Sequence, residues 1–123
     1  MIIGKRFTFE SAHYLPNHEG KCKNPHGHSY QLFIEIKGAV NRNETNPEWG
    51  MVMDYTNFSN IVKEEILDLF DHCNLNDKLP NPTCENLLRL FIGILEEKFS
   101  RGPIRLKSVS LKETENTWAR WER

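Results

Sequence analysis

Apolar and polar residues alternate most cleanly between His26 and Gly38. His26, His28, Tyr30, Leu32, Ile34 and Ile36 share one parity, while Gln31, Glu35 and Lys37 lie on the other. A period of two marks a strand with one buried face. Ile3, Phe7 and Phe9 show the same period within Ile2 to Ser11, predicting a first strand that ends at Ala12-His13. The stretch between, Leu15 to Pro25, holds two prolines, a glycine and two asparagines and reads as a loop. Asn41 to Gly50 reads as a polar connection, after which the period lengthens to three or four. Asp54 is placed to cap a helix running to about Phe70, with Tyr55, Phe58, Val62, Ile66 and Leu69 along its apolar face. Asp71 to Asn81 forms a second loop. Thr83 caps a second helix whose apolar face is Leu87, Leu88, Phe91, Leu95 and Phe99, and Ser100 to Pro103 stops it. Strand character returns from Ile104 to Lys112, but Ile104 and Leu106 disagree in parity with Val109 and Leu111. A bulge near Lys107-Ser108 reconciles them. A turn at Glu115-Asn116 leads to a last strand, Thr117 to Trp121. The order β-β-α-α-β-β predicts one α+β domain, with an antiparallel four-stranded sheet and two helices on one face.

Composition narrows the function classes. A chain of 123 residues fits one domain, and a domain this small buries a modest share of its surface, which makes association with other copies an expectation. Hydrophobic residues at 38% and charged residues at 27% are those of a folded protein. Sixteen Lys and Arg against seventeen Asp and Glu give a net charge of −1, and no basic block exceeds two residues, so nucleic acid is not the expected partner. No apolar run is long enough to cross a membrane. Cys22, Cys73 and Cys84 are odd in number, form no CxxC pair and follow no secretion signal at Met1-Ile2-Ile3-Gly4-Lys5; a reducing, cytoplasmic setting with free thiols is expected.

The chemistry concentrates in the histidines. His26 and His28 flank Gly27 in a predicted strand, so both imidazoles project from one face about 6 to 7 Å apart along the strand. Two imidazoles at that spacing meet one metal ion, and His13 at the end of the first strand supplies a third nitrogen if the strands pair. Three imidazoles with a free fourth position are a catalytic zinc arrangement. Cys22, four residues before His26, has three open roles: an acid–base or nucleophilic thiol, a small packing residue, or a further ligand. Asp71-His72 pairs a carboxylate with a group able to move protons near neutral pH. Glu113, at a strand end, is either a solvated carboxylate or an acceptor for the paired N–H groups of an amino-pyrimidine edge.

Taken in order, these segments resemble the 6-pyruvoyl-tetrahydropterin synthase superfamily over nearly the whole chain. The matching stretches are Phe9-Glu10-Ser11-Ala12-His13, Cys22 to Tyr30, Gly50 to Tyr55, Phe70 to Asn76, Asn81 to Asn86, and Lys112-Glu113-Thr114. The resemblance implies a tunnelling fold whose sheets join into a barrel, usually in a homohexamer of two trimers with active sites between subunits. It implies zinc on His13, His26 and His28, a catalytic role for Cys22, Asp71 and His72, and a pterin held by Glu113 with Thr83, Cys84 and Glu85. The three residues between Cys22 and His26 resemble the bacterial 6-carboxytetrahydropterin synthases of queuosine biosynthesis, which act on 7,8-dihydroneopterin triphosphate. The pyruvoyl-forming enzymes typically have a longer gap. Cys84, where a hydroxyl residue is more usual, and Trp118-Ala119-Arg120-Trp121 depart from the family pattern.

Overall fold

The computed structural model describes residues 1–100 and 102–123; Arg101, within the expected helix stop, lies outside the described residues. Two long strands, β1 (Ile2–His13) and β2 (His26–Lys37), pair antiparallel from Ile2 opposite Lys37 to His13 opposite His26. Their alternation does what the sequence requires. Phe7, Phe9, Ser11 and His13 on β1, and Tyr30, Leu32, Ile34 and Ile36 on β2, are buried, while their neighbours of opposite parity are more exposed.

Asp54 caps the first helix, its Oδ1 accepting from the Thr56 and Asn57 amides at 2.6 and 3.4 Å. The helix runs as α1 (Tyr55–Val62), a π-helical turn (Lys63–Leu67) and α2 (Asp68–Phe70). The buried residues are Phe58, Val62, Ile66 and Phe70, each four apart. In a straight α-helix a spacing of four drifts about 40° per step away from one face; the wider π turn takes up that drift. Phe70 therefore occupies the place expected of Leu69, which is 50% exposed, and Tyr55 at the first turn is 53% exposed.

A two-residue strand, β3 (Cys73–Asn74), then pairs parallel to β1 at Ser11 and Ala12. Thr83 caps the next helix, α3 (Cys84–Phe99), accepting from the Asn86 amide at 3.2 Å. Its buried face is Leu87, Leu88, Phe91, Leu95 and Phe99, as the periodicity predicts. Strands β4 (Arg105–Lys112) and β5 (Trp118–Glu122) complete a five-stranded sheet in the order β3-β1-β2-β4-β5. The sheet is therefore mixed and gains one strand over the four expected. Two residues are too short to leave a periodic trace. The expected bulge is present: Glu35 pairs with Ser108 and Ile36 with Leu106, leaving Lys107 as the extra residue. Leu106, Val109 and Leu111 all reach the core as a result.

Phe91 locks the helix layer onto the sheet, its ring centroid 5.9 Å from Phe9 and 5.0 Å from Phe70. Aromatic pairs of this kind add about 0.5–1.5 kcal/mol each beyond their burial. Tyr30, stacked on Phe9, continues this packing to His13 and His28, whose ring centroids lie 6.3 and 5.6 Å from its own. Among the described residues, no helix is long and apolar enough to cross a membrane.

Candidate metal centre

The β1–β2 register sets His13 directly opposite His26, and His28 lies two residues further on the same face. The three imidazoles offer ligand nitrogens that all lie within 4.8 Å of one another, and His13 Nε2 is 3.1 Å from His26 Nε2. Backbone carbonyls determine which nitrogens carry protons. His13 Nδ1 is 2.8 Å from the Pro82 carbonyl, and His26 Nδ1 is 2.8 Å from the Asn24 carbonyl. A carbonyl oxygen only accepts, so each Nδ1 donates and each Nε2 of a neutral ring keeps a lone pair. Two lone pairs facing each other at 3.1 Å repel unless a cation lies between them. On a tetrahedral ion with bonds of about 2.0–2.1 Å, neighbouring donor atoms stand about 3.3 Å apart.

His28 supports the same fit. Its Nε2 is buried with no hydrogen-bond partner. Burial holds its pKa below 6.5; Glu113 opposes this, while His13 and His26 add to the lowering. The neutral ring that results is the form a metal requires. A cluster of three imidazoles suits zinc and other first-row divalent cations better than the oxygen-seeking magnesium or calcium.

Around this trio the structure gathers part of the expected site. Glu113 Oε1 is 3.6 Å from His28 Nε2. Thr83 and Cys84 stand at the start of α3, immediately after the carbonyl that orients His13. The Cys84 thiol donates to the Leu111 carbonyl at 3.3 Å. Burial pushes its pKa to about 11, opposed by a backbone contact from Ala119 and assisted by Glu113 and Glu85. Glu85 itself is exposed. Cys22 sits half-buried in a 3-10 turn, Lys21–Lys23, outside the cluster formed by His13, His26 and His28. The loop that carries it is tied down where the Leu15 amide donates to the Cys22 carbonyl at 2.8 Å.

Asp71 and His72 are built as a unit just before the edge strand β3. Asp71 Oδ1 accepts from the Glu10 amide at 2.9 Å and from His72 Nδ1 at 2.8 Å, so His72 presents its Nε2 outward. His72 is held at φ +56°, with its amide donating to the Glu10 carbonyl. It lines an open cavity of about 520 Å³ with Glu10, Ala12, Gly27 and Ser29 of the opposite row and with Ser11 and His28 of the histidine row, so the cavity reaches one member of the trio. Sequence reasoning passed over the Pro82 and Asn24 carbonyls and the Glu10 anchor, because main-chain contacts leave no residue-type signature. It also passed over Tyr30, although Tyr30 continues the parity of His26 and His28.

The chain resembles known proteins over nearly its whole length. The family described as 6-pyruvoyl tetrahydropterin synthase matches residues 2–123. A Synechocystis protein named 6-carboxy-5,6,7,8-tetrahydropterin synthase is 38% identical over 122 residues, covering 98% of this chain and 92% of that protein. A Dictyostelium discoideum protein named 6-pyruvoyl tetrahydrobiopterin synthase is 35% identical, covering 96% of this chain and 93% of its own. Among solved structures, the Caenorhabditis elegans 6-pyruvoyl tetrahydropterin synthase superposes with a TM-score of 0.82 at 25% identity. That match covers all of this chain and 95% of the other. The expected tunnelling fold is thereby borne out for the single chain.

Proposed function

Since the chain belongs to the 6-pyruvoyl tetrahydropterin synthase family, we propose that it is a zinc-dependent 6-carboxy-5,6,7,8-tetrahydropterin synthase. The reaction takes 7,8-dihydroneopterin triphosphate and water to 6-carboxytetrahydropterin, acetaldehyde and triphosphate, within queuosine (7-deazapurine) biosynthesis. The observation that carries the reading is the pair of carbonyl-fixed imidazoles, His13 and His26, whose free nitrogens face each other 3.1 Å apart beside the bare Nε2 of His28. A bound zinc ion would supply Lewis acidity toward the hydroxyl groups of the substrate side chain.

The other steps fall to this chain's own residues. Glu113 anchors the pterin, one carboxylate accepting paired hydrogen bonds from the ring's amino and N–H groups. Thr83, Cys84 and Glu85 line the same pocket from the start of α3. Cys22 Sγ and His72 Nε2 pass protons between side chain and ring, and Asp71 holds His72 in the tautomer with its proton on Nδ1. The family resemblance implies active sites between subunits, so the Asp71–His72 pair completing one centre is assigned to another subunit of a cytoplasmic homohexamer built as a dimer of trimers.

The three-residue gap between Cys22 and His26 favours the carboxy product over the pyruvoyl product of a biopterin-type synthase. Mass spectrometry of the products formed by the zinc-loaded protein from dihydroneopterin triphosphate tests this. A 6-carboxy pterin with acetaldehyde is expected. A 6-pyruvoyl pterin would move the protein to the biopterin-type reaction. Bound zinc without turnover would reduce it to a metal- or pterin-binding module.

A further inference from the structure

Tyr30 carries a group that the proposed chemistry does not use. It is fully buried, its ring is stacked on Phe9 at a centroid separation of 4.8 Å, and its hydroxyl has no hydrogen-bond partner. Buried hydroxyls almost always have a partner, and phenylalanine would pack the same ring without leaving an oxygen bare.

Glu113 is the nearest candidate partner. Gln31 stands opposite Lys112 at the end of the β2–β4 ladder, and Glu113 follows in the bend just beyond it. His28 lies beside both residues, its ring centroid 5.6 Å from that of Tyr30 and its Nε2 3.6 Å from Glu113 Oε1. Both belong to the row that carries Leu32 and Leu111 into the core. A phenol carries its proton at neutral pH, so the hydroxyl is available as a donor.

Glu113 is the group that needs such a donor. Its Oε1 lies 3.6 Å from His28 Nε2, close to the ~3.3 Å between neighbouring donor atoms of a four-coordinate zinc ion. Nothing within the histidine trio stops the carboxylate from taking the fourth position and closing the centre. Building on the zinc-enzyme reading above, we propose that Tyr30 is a positioning residue. Its hydroxyl donates to Glu113 when the metal is bound, keeps the carboxylate off the ion, and leaves it aimed at an amino-pyrimidine edge.

The test is zinc affinity, measured on the full chain by competition with a chromogenic chelator. Wild type, Tyr30→Phe, Glu113→Gln and the double variant are compared. Tyr30→Phe should bind zinc roughly tenfold more tightly, because a freed carboxylate joins the metal, and it should raise KM for the pterin. The double variant should return to within about twofold of wild type. Metal-free Tyr30→Phe should melt no lower than wild type, since it removes only a bare hydroxyl. Unchanged zinc affinity in Tyr30→Phe, or a tightening that survives in the double variant, overturns the proposal. So does a lower melting temperature with unchanged affinity, which would give the hydroxyl a packing role. A wild-type protein that binds no zinc at all removes the metal reading itself, and this inference with it.

Discussion

His72 is the described non-glycine residue held in the left-handed region, at φ +56°, and replacing it separates backbone strain from chemistry. Left-handed backbone costs a side-chain-bearing residue about 1–2 kcal/mol, a cost glycine escapes. Glycine in turn gives up about 0.4–1 kcal/mol through greater freedom of the unfolded chain. The 2.8 Å contact from Nδ1 to Asp71 joins side chains that are 78% and 38% exposed, so its loss costs at most about 1 kcal/mol. His72→Gly should therefore stay within about 1 kcal/mol of wild type. His72→Ala keeps the strain and loses the contact, and should be the less stable of the two by about 1 kcal/mol. In urea unfolding with a slope of about 1–3 kcal/mol/M, that difference separates the midpoints by about 0.3–1 M. The amide of residue 72 still donates to the Glu10 carbonyl in both variants, so the comparison isolates the side chain. Both should lose about 10²- to 10⁴-fold in kcat if His72 transfers a proton. Alanine as stable as glycine would refute the strain argument. Near-normal kcat in His72→Gly would refute the catalytic role.

Cys22→Ala should abolish turnover while one zinc per chain is retained; loss of the metal as well would make the thiol a ligand and leave the reaction without this acid–base group. The Cys84 thiol, with its pKa pushed from 9.0 to about 11, should alkylate slowly at pH 8. Its rate, followed by peptide mass spectrometry, should climb about tenfold per pH unit toward pH 11, and a plateau near pH 9 would contradict the burial argument. The linked stability has the same sign. Folding favours the protonated thiol, so this contribution is complete below pH 9 and is lost as pH rises toward 11.

The sheet was legible in the sequence because its inward row is nearly unbroken: Tyr30, Leu32, Ile34 and Ile36 alternate without exception, and the parity switch at Lys107 marked the bulge. The first helix was legible up to its π turn. A pattern of 3.6 residues per turn carries Leu69 inward, and only the wider turn at Lys63–Leu67 hands that place to Phe70. Strand β3 left no trace, since two residues have no period. In the site, His13, His26 and His28 could be joined once two strands were paired. Their tautomers could not be read, because the Pro82 and Asn24 carbonyls belong to the main chain. Tyr30 looked like one more apolar position, and its importance rests on a hydroxyl whose lack of a partner only three-dimensional packing reveals.

The central claim is that three imidazoles, and no thiol, hold a metal with room left for substrate. X-ray absorption on the zinc-loaded wild-type protein tests it most directly. Three imidazole nitrogens at about 2.0–2.1 Å are expected, with a light oxygen ligand completing the shell and no sulfur. A sulfur shell at about 2.3 Å, fewer than three imidazoles, or no zinc retained after dialysis would contradict it.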